Sequence, residues 1–196
     1  MLAMLVPYTT KKLYYAYPIF IIGYQDDRCH YNVTTCSSSY SLGDMFTFSV
    51  ANDENVAKQL QRTRHCTINY MTSAHLDQIE YAGYLHRREK INSGQLPHQI
   101  DHQTDLPILT DALSTLFIDV EKSVPYHGYI NFIGHISRRL VQEDALQNGR
   151  LNVATITPAL YAGDQHQRVY REVNQQVKTT GQFFRQRTRL SKHYEE

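Results

Sequence analysis

Residues 17–24, Tyr17-Pro18-Ile19-Phe20-Ile21-Ile22-Gly23-Tyr24, form a nearly continuous apolar run rich in β-branched and aromatic side chains. The run is far short of the ~20 apolar residues that a membrane-spanning helix needs. It also lacks the polar alternation of a half-exposed strand, so it reads as a strand buried on both sides. Turn chemistry follows at once from Gly23 to Asp27, with Gln25-Asp26-Asp27 at the predicted hairpin tip. Residues 29–35 return as the second strand.

The pattern of short strands and turns continues. Leu42-Gly43-Asp44 is a turn, and residues 45–51 alternate cleanly, with Phe46, Phe48 and Val50 on one face. Asn52 or Asp53 then supplies a helix N-cap for a segment through Val56, Ala57 and Leu60 that stops near Arg62. Residues 64–70 alternate again, with Cys66, Ile68 and Tyr70 inward and Asn69 at the strand end, and residues 76–84 read as a helix. Residues 86–105 are polar and loop-like, and their charge run His86-Arg87-Arg88-Glu89-Lys90 reads as a solvated surface. Residues 114–120 and 128–140 read as a strand pair, and 151–161 as a last strand piece. In 166–177 the spacing of Val169, Tyr170, Val173 and Val177 predicts an amphipathic helix. Residues 1–16 read as an irregular lead-in. Helices interrupting a series of strands and turns predict a closed antiparallel barrel, whose mouth or subunit seam is the natural ligand site.

A hydrophobic fraction of 41% provides a substantial core, and a formal charge of +1 argues against the clustered basic surface of a nucleic-acid binder. Cys29, Cys36 and Cys66 are odd in number and lack C-x-x-C spacing, which points to a reducing compartment. No apolar run spans a membrane and the start lacks a basic n-region, so a soluble, cytoplasmic protein is expected. The ten histidines show no metal-ligand spacing, and no metal is expected.

The stretch Asn32-Val33-Thr34-Thr35-Cys36-Ser37-Ser38-Ser39 holds the main functional signal. Small residues let the backbone approach a ligand, and converging N–H groups and hydroxyls suit an oxyanion such as phosphate. The following helix start is a second phosphate-friendly element, although Asp53 and Glu54 would compete with an anion there. A plain strand running into a serine loop fits the same residues. Cys36 reads as a small buried hydrophobe, with a ligand-tuning thiol as the alternative.

The order of these segments resembles the flavin reductase-like family, the FMN-binding split-barrel proteins. Residues 18–22 resemble its first barrel strand, and Asn32-Val33-Thr34-Thr35-Cys36-Ser37 its N-x-x-T-x-S segment. Residues 46–50 with the helix and Cys66-Thr67-Ile68-Asn69-Tyr70 resemble its strand–helix–strand. Residues 76–83 resemble the helix ending in aromatic-Ala-Gly, 118–134 the paired strands of the second half, and Leu160-Tyr161 a proline-linked "LY". The resemblance implies a mainly β, antiparallel split barrel with a few peripheral helices over residues 1–165. Residues 166–196 would be a C-terminal helical extension, with Phe183-Phe184 docking on a partner subunit.

It further implies a homodimer that binds FMN, with FAD as the alternative, and a small-molecule reaction in which NAD(P)H passes hydride to flavin. By the same resemblance Asn32, Val33, Thr34, Thr35, Cys36 and Ser37 would contact the flavin or its phosphate, and Asn52 and Asn55 would lie at the helix start nearest the phosphate. One departure stands out. Many members carry Gly-Asp-His before the second-half strand, whereas here Tyr129 takes the His position and His127 lies two residues earlier, on the same face if both are in a strand. These two are the candidates beside the nicotinamide. Hydride transfer to flavin needs no general base, so the lack of an acid–base pair does not argue against an enzyme. A non-catalytic flavin carrier or redox sensor is the alternative function.

Overall fold

In the computed structural model, residues 5–86, 89–174 and 176–183 are described. The chain forms β1 (Leu13–Pro18), β2 (Phe20–Asp26), β3 (His30–Cys36), β4 (Ser39–Leu42) and β5 (Met45–Ala51). Helix α1 (Asn55–Thr63), β6 (His65–Tyr70) and helix α2 (Leu76–Tyr84) follow, then β7 (His98–Asp101) and β8 (Leu106–Leu109). Two long strands, β9 (Ser114–Tyr126) and β10 (Tyr129–Val141), lead to a small hairpin of β11 (Leu146–Gln147) and β12 (Arg150–Leu151). The chain closes with β13 (Leu160–Asp164) and β14 (Arg168–Arg171).

Seven strands make one antiparallel sheet in the order β3-β2-β6-β9-β10-β5-β4. The sheet is strongly curled. Phe20 on β2 and Phe46 on β5 are four places apart in that order, yet their ring centroids lie 6.0 Å apart. Phe48 stacks on Phe132 at 5.4 Å. Each such buried ring contributes about 1.5–3 kcal/mol by leaving water. The edge strands β3 and β4 are not paired with each other, although Ser49 N donates to Ser38 O at 3.0 Å near the gap. The fold is therefore mainly β, an antiparallel split barrel with peripheral helices.

The helices take opposite sides of the β2–β3 hairpin. Val56, Ala57 and Leu60 of α1 join the barrel interior, whereas Ile79 and Ala82 of α2 pack with Ile21 and Val33 on the outer face. β6 sits between β2 and β9, and its two faces are both buried. Asn69, one residue from the end of β6, is fully buried. Its amide donates to Ile21 O at 3.1 Å and to Thr67 Oγ1 at 3.0 Å, and its Oδ1 accepts from Leu109 N at 3.2 Å and Thr115 Oγ1 at 2.9 Å.

Several expectations are corrected. The lead-in contains β1, which pairs with β13. The loop-like 86–105 contains β7, paired with β8. The first hairpin turns at 27–29, because Asp26 Oδ1 accepts from Arg28 N at 2.9 Å and so caps the end of β2. The N-cap of α1 is Glu54, one residue beyond the expected positions. Among the described residues of 166–177 no helix forms, and Arg168–Arg171 is a strand against β13 instead. Asp164 Oδ1 accepts from His166 N at 2.7 Å and Gln167 N at 3.0 Å, building a tight turn that aligns Val169 and Tyr170 with Ala162 and Tyr161. Phe183 is exposed, and Phe184 lies outside the described residues. Among the described residues no helix is long and apolar enough to cross a membrane, and no group of His, Cys, Asp or Glu is placed to hold a metal.

Candidate functional site

Alternation along β3 divides its side chains between two environments. Asn32 and Thr34 face a cavity of about 380 Å³ bounded by Tyr24, the 53–56 segment, His86 and Lys90. An adjoining cavity of about 610 Å³ shares Asn32, Asp53, Glu54 and Asn55 and extends past Asn52 to Arg28 and Lys58. Together they form a groove between β3 and the start of α1. Ligand pockets commonly measure ~300–1,000 Å³.

The predicted site residues do not all face it. Asn32, Thr34, Asn52 and Asn55 line the groove. Val33 is fully buried on the opposite face, among Ile79 and Ala82 of α2. Thr35 turns the same way and donates to Ile79 O at 2.6 Å. Cys36 belongs to the barrel core, 8% exposed, and burial pushes its thiol up to about 12. It is the inert, small hydrophobe of the plainer reading. Ser37 is half-buried where the strand ends.

One buried carboxylate organises the groove wall. Asp26 accepts from Asn55 Nδ2 at 2.5 Å and from Asn32 Nδ2 at 3.5 Å, besides the backbone of Arg28 and Cys29. Burial alone would raise its carboxyl, but these hydrogen bonds outweigh burial and hold it below the ordinary carboxylate range. Asn55 also donates to the Tyr24 hydroxyl at 3.3 Å. Asn55 thus ties the 26–29 turn to the first residue of α1, and its role in the groove is largely one of support.

The start of α1 is open. Glu54 is extended, with no side-chain cap hydrogen bond, and Ala57 N donates to Glu54 O at 3.1 Å, so among the described residues no side chain satisfies the N–H groups of Asn55 and Val56. Glu54 is raised by burial, an effect that His86 opposes. Lys90, expected on a solvated surface, is 5% exposed, lines the groove, and donates to Ala82 O at 2.5 Å. Burial lowers its ammonium to about 8. Sequence reasoning missed it because Lys90 closes a run of charges. The one available hint is that Ile91 follows immediately, and Ile91 is buried.

The two nicotinamide candidates sit at the β9–β10 turn beside the groove's rim. Tyr129 pairs with Ala51, and Asn52 N donates to Gly128 O at 2.9 Å. His127 is not in a strand. It occupies the turn at φ 42°, its ring edge-on to Tyr126 at 4.4 Å, so it does not share a strand face with Tyr129. Tyr129 is 46% exposed and adds, after burial and Tyr161, to the upward shift of the Tyr14 hydroxyl.

Comparison with known proteins gives a consistent picture. The family described as flavin reductase like domain matches residues 12–170. Flavoredoxin from Methanosarcina acetivorans superposes with a TM-score of 0.81 at 15% identity, covering 93% of this chain and 100% of that one. An FMN-binding protein from Thermus thermophilus gives 0.73 at 17% identity, covering 91% and 98%. An NADH:FAD oxidoreductase from Streptomyces globisporus gives 0.66 at 9% identity, covering 81% and 87%. No curated protein matches the sequence.

Proposed function

The chain belongs to the flavin reductase-like family, and from that premise we propose that it binds a flavin, FMN first and FAD as the alternative, in the groove between β3 and α1. The observation that carries this reading is the convergence of Thr34, Lys90 and the open first turn of α1 on one cavity. The donor set suits a phosphate-bearing ligand. It offers a hydroxyl, a buried ammonium and helix N–H groups, while Tyr24 and Val56 give an apolar side. Asp53 and Glu54 oppose an anion, so the fit depends on the cations that face them.

We further propose that the protein is an NAD(P)H-dependent flavin reductase. When bound, the flavin would accept hydride from reduced nicotinamide and release it to an acceptor. The chain's part is to bind and orient. Thr34 would hydrogen-bond the ligand, Asp26 and Asn55 would hold the groove wall, and Tyr129 would border the nicotinamide from the β9–β10 turn. Tyr129 can stack and donate a hydrogen bond, and no proton needs to move for hydride transfer. The exposed Val124, Tyr126 and Tyr129 support a homodimer through this end of the sheet, and three free cysteines suit a cytoplasmic location.

Anaerobic stopped-flow mixing of the flavin-loaded protein with NADH or NADPH tests the activity. Rapid bleaching of the flavin band is expected. A band that persists through both additions favours the carrier or redox sensor, a reading that the replacement of the family's His by Tyr129 keeps in play. Light scattering after gel filtration tests the dimer, which fails if the mass is that of one 22.8 kDa chain.

A further inference from the structure

The sheet of β1, β13 and β14 carries a cluster that the groove does not use. Tyr14, Gly163 and Arg168 stand side by side across its three strands, and Tyr17, Tyr161 and Tyr170 form the next row. The register shifts between Tyr14 and Tyr17, which brings both rows to one face. Ring centroids 5.1 Å apart for Tyr14 and Tyr161, and 6.0 Å apart for Tyr161 and Tyr170, make a continuous aromatic wall. Tyr161 and Tyr170 pack on the α2 side of the core, and Arg168 is exposed at the margin. Its guanidinium donates to the Tyr161 hydroxyl, and Tyr14 and Tyr84 are its other tyrosine neighbours. Among the described residues no carboxylate pairs with it. Most of its five donors are left to water or to a ligand. Position favours a ligand. Tyr14 lies within electrostatic reach of both Arg168 and Tyr129, so the wall runs from the β9–β10 turn to Arg168. Arg168 stands two strands beyond Tyr14, about 10 Å further out.

We infer that Arg168 reads the 2′-phosphate of NADPH, with the half-buried Tyr14 and the exposed Tyr84 as the aromatic faces open to its adenine. This rests on the reading that the nicotinamide stands beside Tyr129. A dinucleotide placed so carries its pyrophosphate in the middle and its adenosine beyond, toward the far strand. A monoester phosphate has the greater charge and more free oxygens than either phosphate of the pyrophosphate, which suits a guanidinium fork. NADH has only a hydroxyl to offer there.

The test mixes the FMN-loaded full chain anaerobically with NADPH or NADH, as wild type, Arg168→Gln and Arg168→Lys, and reads the concentration that gives half the maximal bleaching rate. Wild type should need less NADPH than NADH by about tenfold or more, the size of a charge-assisted hydrogen bond. Arg168→Gln should bring the two within about twofold by weakening NADPH alone, and Arg168→Lys should keep part of the preference. Equal use of both by wild type overturns the inference. So does an Arg168→Gln protein in which both weaken alike, which would place Arg168 on the pyrophosphate. If neither nucleotide bleaches the flavin, the reductase reading fails separately, and calorimetric titration with adenosine 2′,5′-bisphosphate and adenosine 5′-monophosphate decides the subsite. Tighter binding of the bisphosphate that Arg168→Gln removes supports it. Equal binding of the two, or none, overturns it.

Discussion

The Thr35 hydroxyl donates to the Ile79 carbonyl at 2.6 Å, so two adjacent threonines of β3 serve opposite faces of the sheet. Thr34 faces the groove and Thr35 anchors α2. Thr35→Val should therefore cost about 1–2 kcal/mol of stability, since it leaves a helix carbonyl with a lost partner, and should leave flavin affinity unchanged. Thr34→Val should show the reverse, weaker flavin binding at nearly constant stability. Urea unfolding and flavin titration of both variants check the division.

Asn69 joins four partners from β2, β6, β8 and β9. Asn69→Leu strands several buried polar groups at once. A loss of about 3 kcal/mol or more is expected in urea unfolding, because each unsatisfied group costs about 1–3 kcal/mol. A loss below about 1 kcal/mol would mean that the hub is dispensable.

Gly134 lies where β10 meets β9 closely. A Cβ there would sit 2.6 Å from Asp119 O and 2.7 Å from Ile118 Cγ2. Backbone cannot yield as a flexible side chain can, so Gly134→Ala should destabilise by about 1–3 kcal/mol. Thermal unfolding of the variant measures it.

Two buried charges give stability that rises with pH in two separate windows. The folded Asp26 lies below its unfolded value of about 3.9. Its contribution is present above that value and is lost as pH falls through the lower folded one. Asp26→Asn should lack this acid-limb loss. The folded Lys90, near 8, lies below its unfolded value of about 10.4. The native state then binds fewer protons over that interval, so wild-type stability gains a rising component between about pH 8 and 10.4. Lys90→Met should lack that rise. Chemical denaturation across pH reads both slopes.

The barrel was legible because its strands carry local signals. Phe46, Phe48 and Val50 alternate, and Leu42-Gly43-Asp44 turns, whatever the rest of the chain does. The helix predicted over 166–177 failed because Val169 and Tyr170 suit a strand equally well, and the Asp164 turn decides between them. Within Asn32–Ser37 the sequence could not divide the residues that line the groove from those that pack elsewhere. That division depends on which face of β3 receives α2, a tertiary fact. Lys90 was illegible for a related reason. Beyond the adjoining Ile91, nothing local distinguishes it from its charged neighbours, and its hydrogen bond to Ala82 O of α2 is a tertiary contact.

The central claim, that the groove beside Thr34 holds a flavin, is tested most directly by titrating purified protein with FMN, wild type beside Thr34→Phe. Thr34 is half-buried and lines the groove, so a larger ring at this position would compete with a ligand for the cavity. The account predicts saturable binding with a changed flavin spectrum in wild type, and affinity weakened by about tenfold or more in a Thr34→Phe protein of unchanged fold. Equal FMN affinity in the two proteins, or no spectral change in wild type, would contradict it.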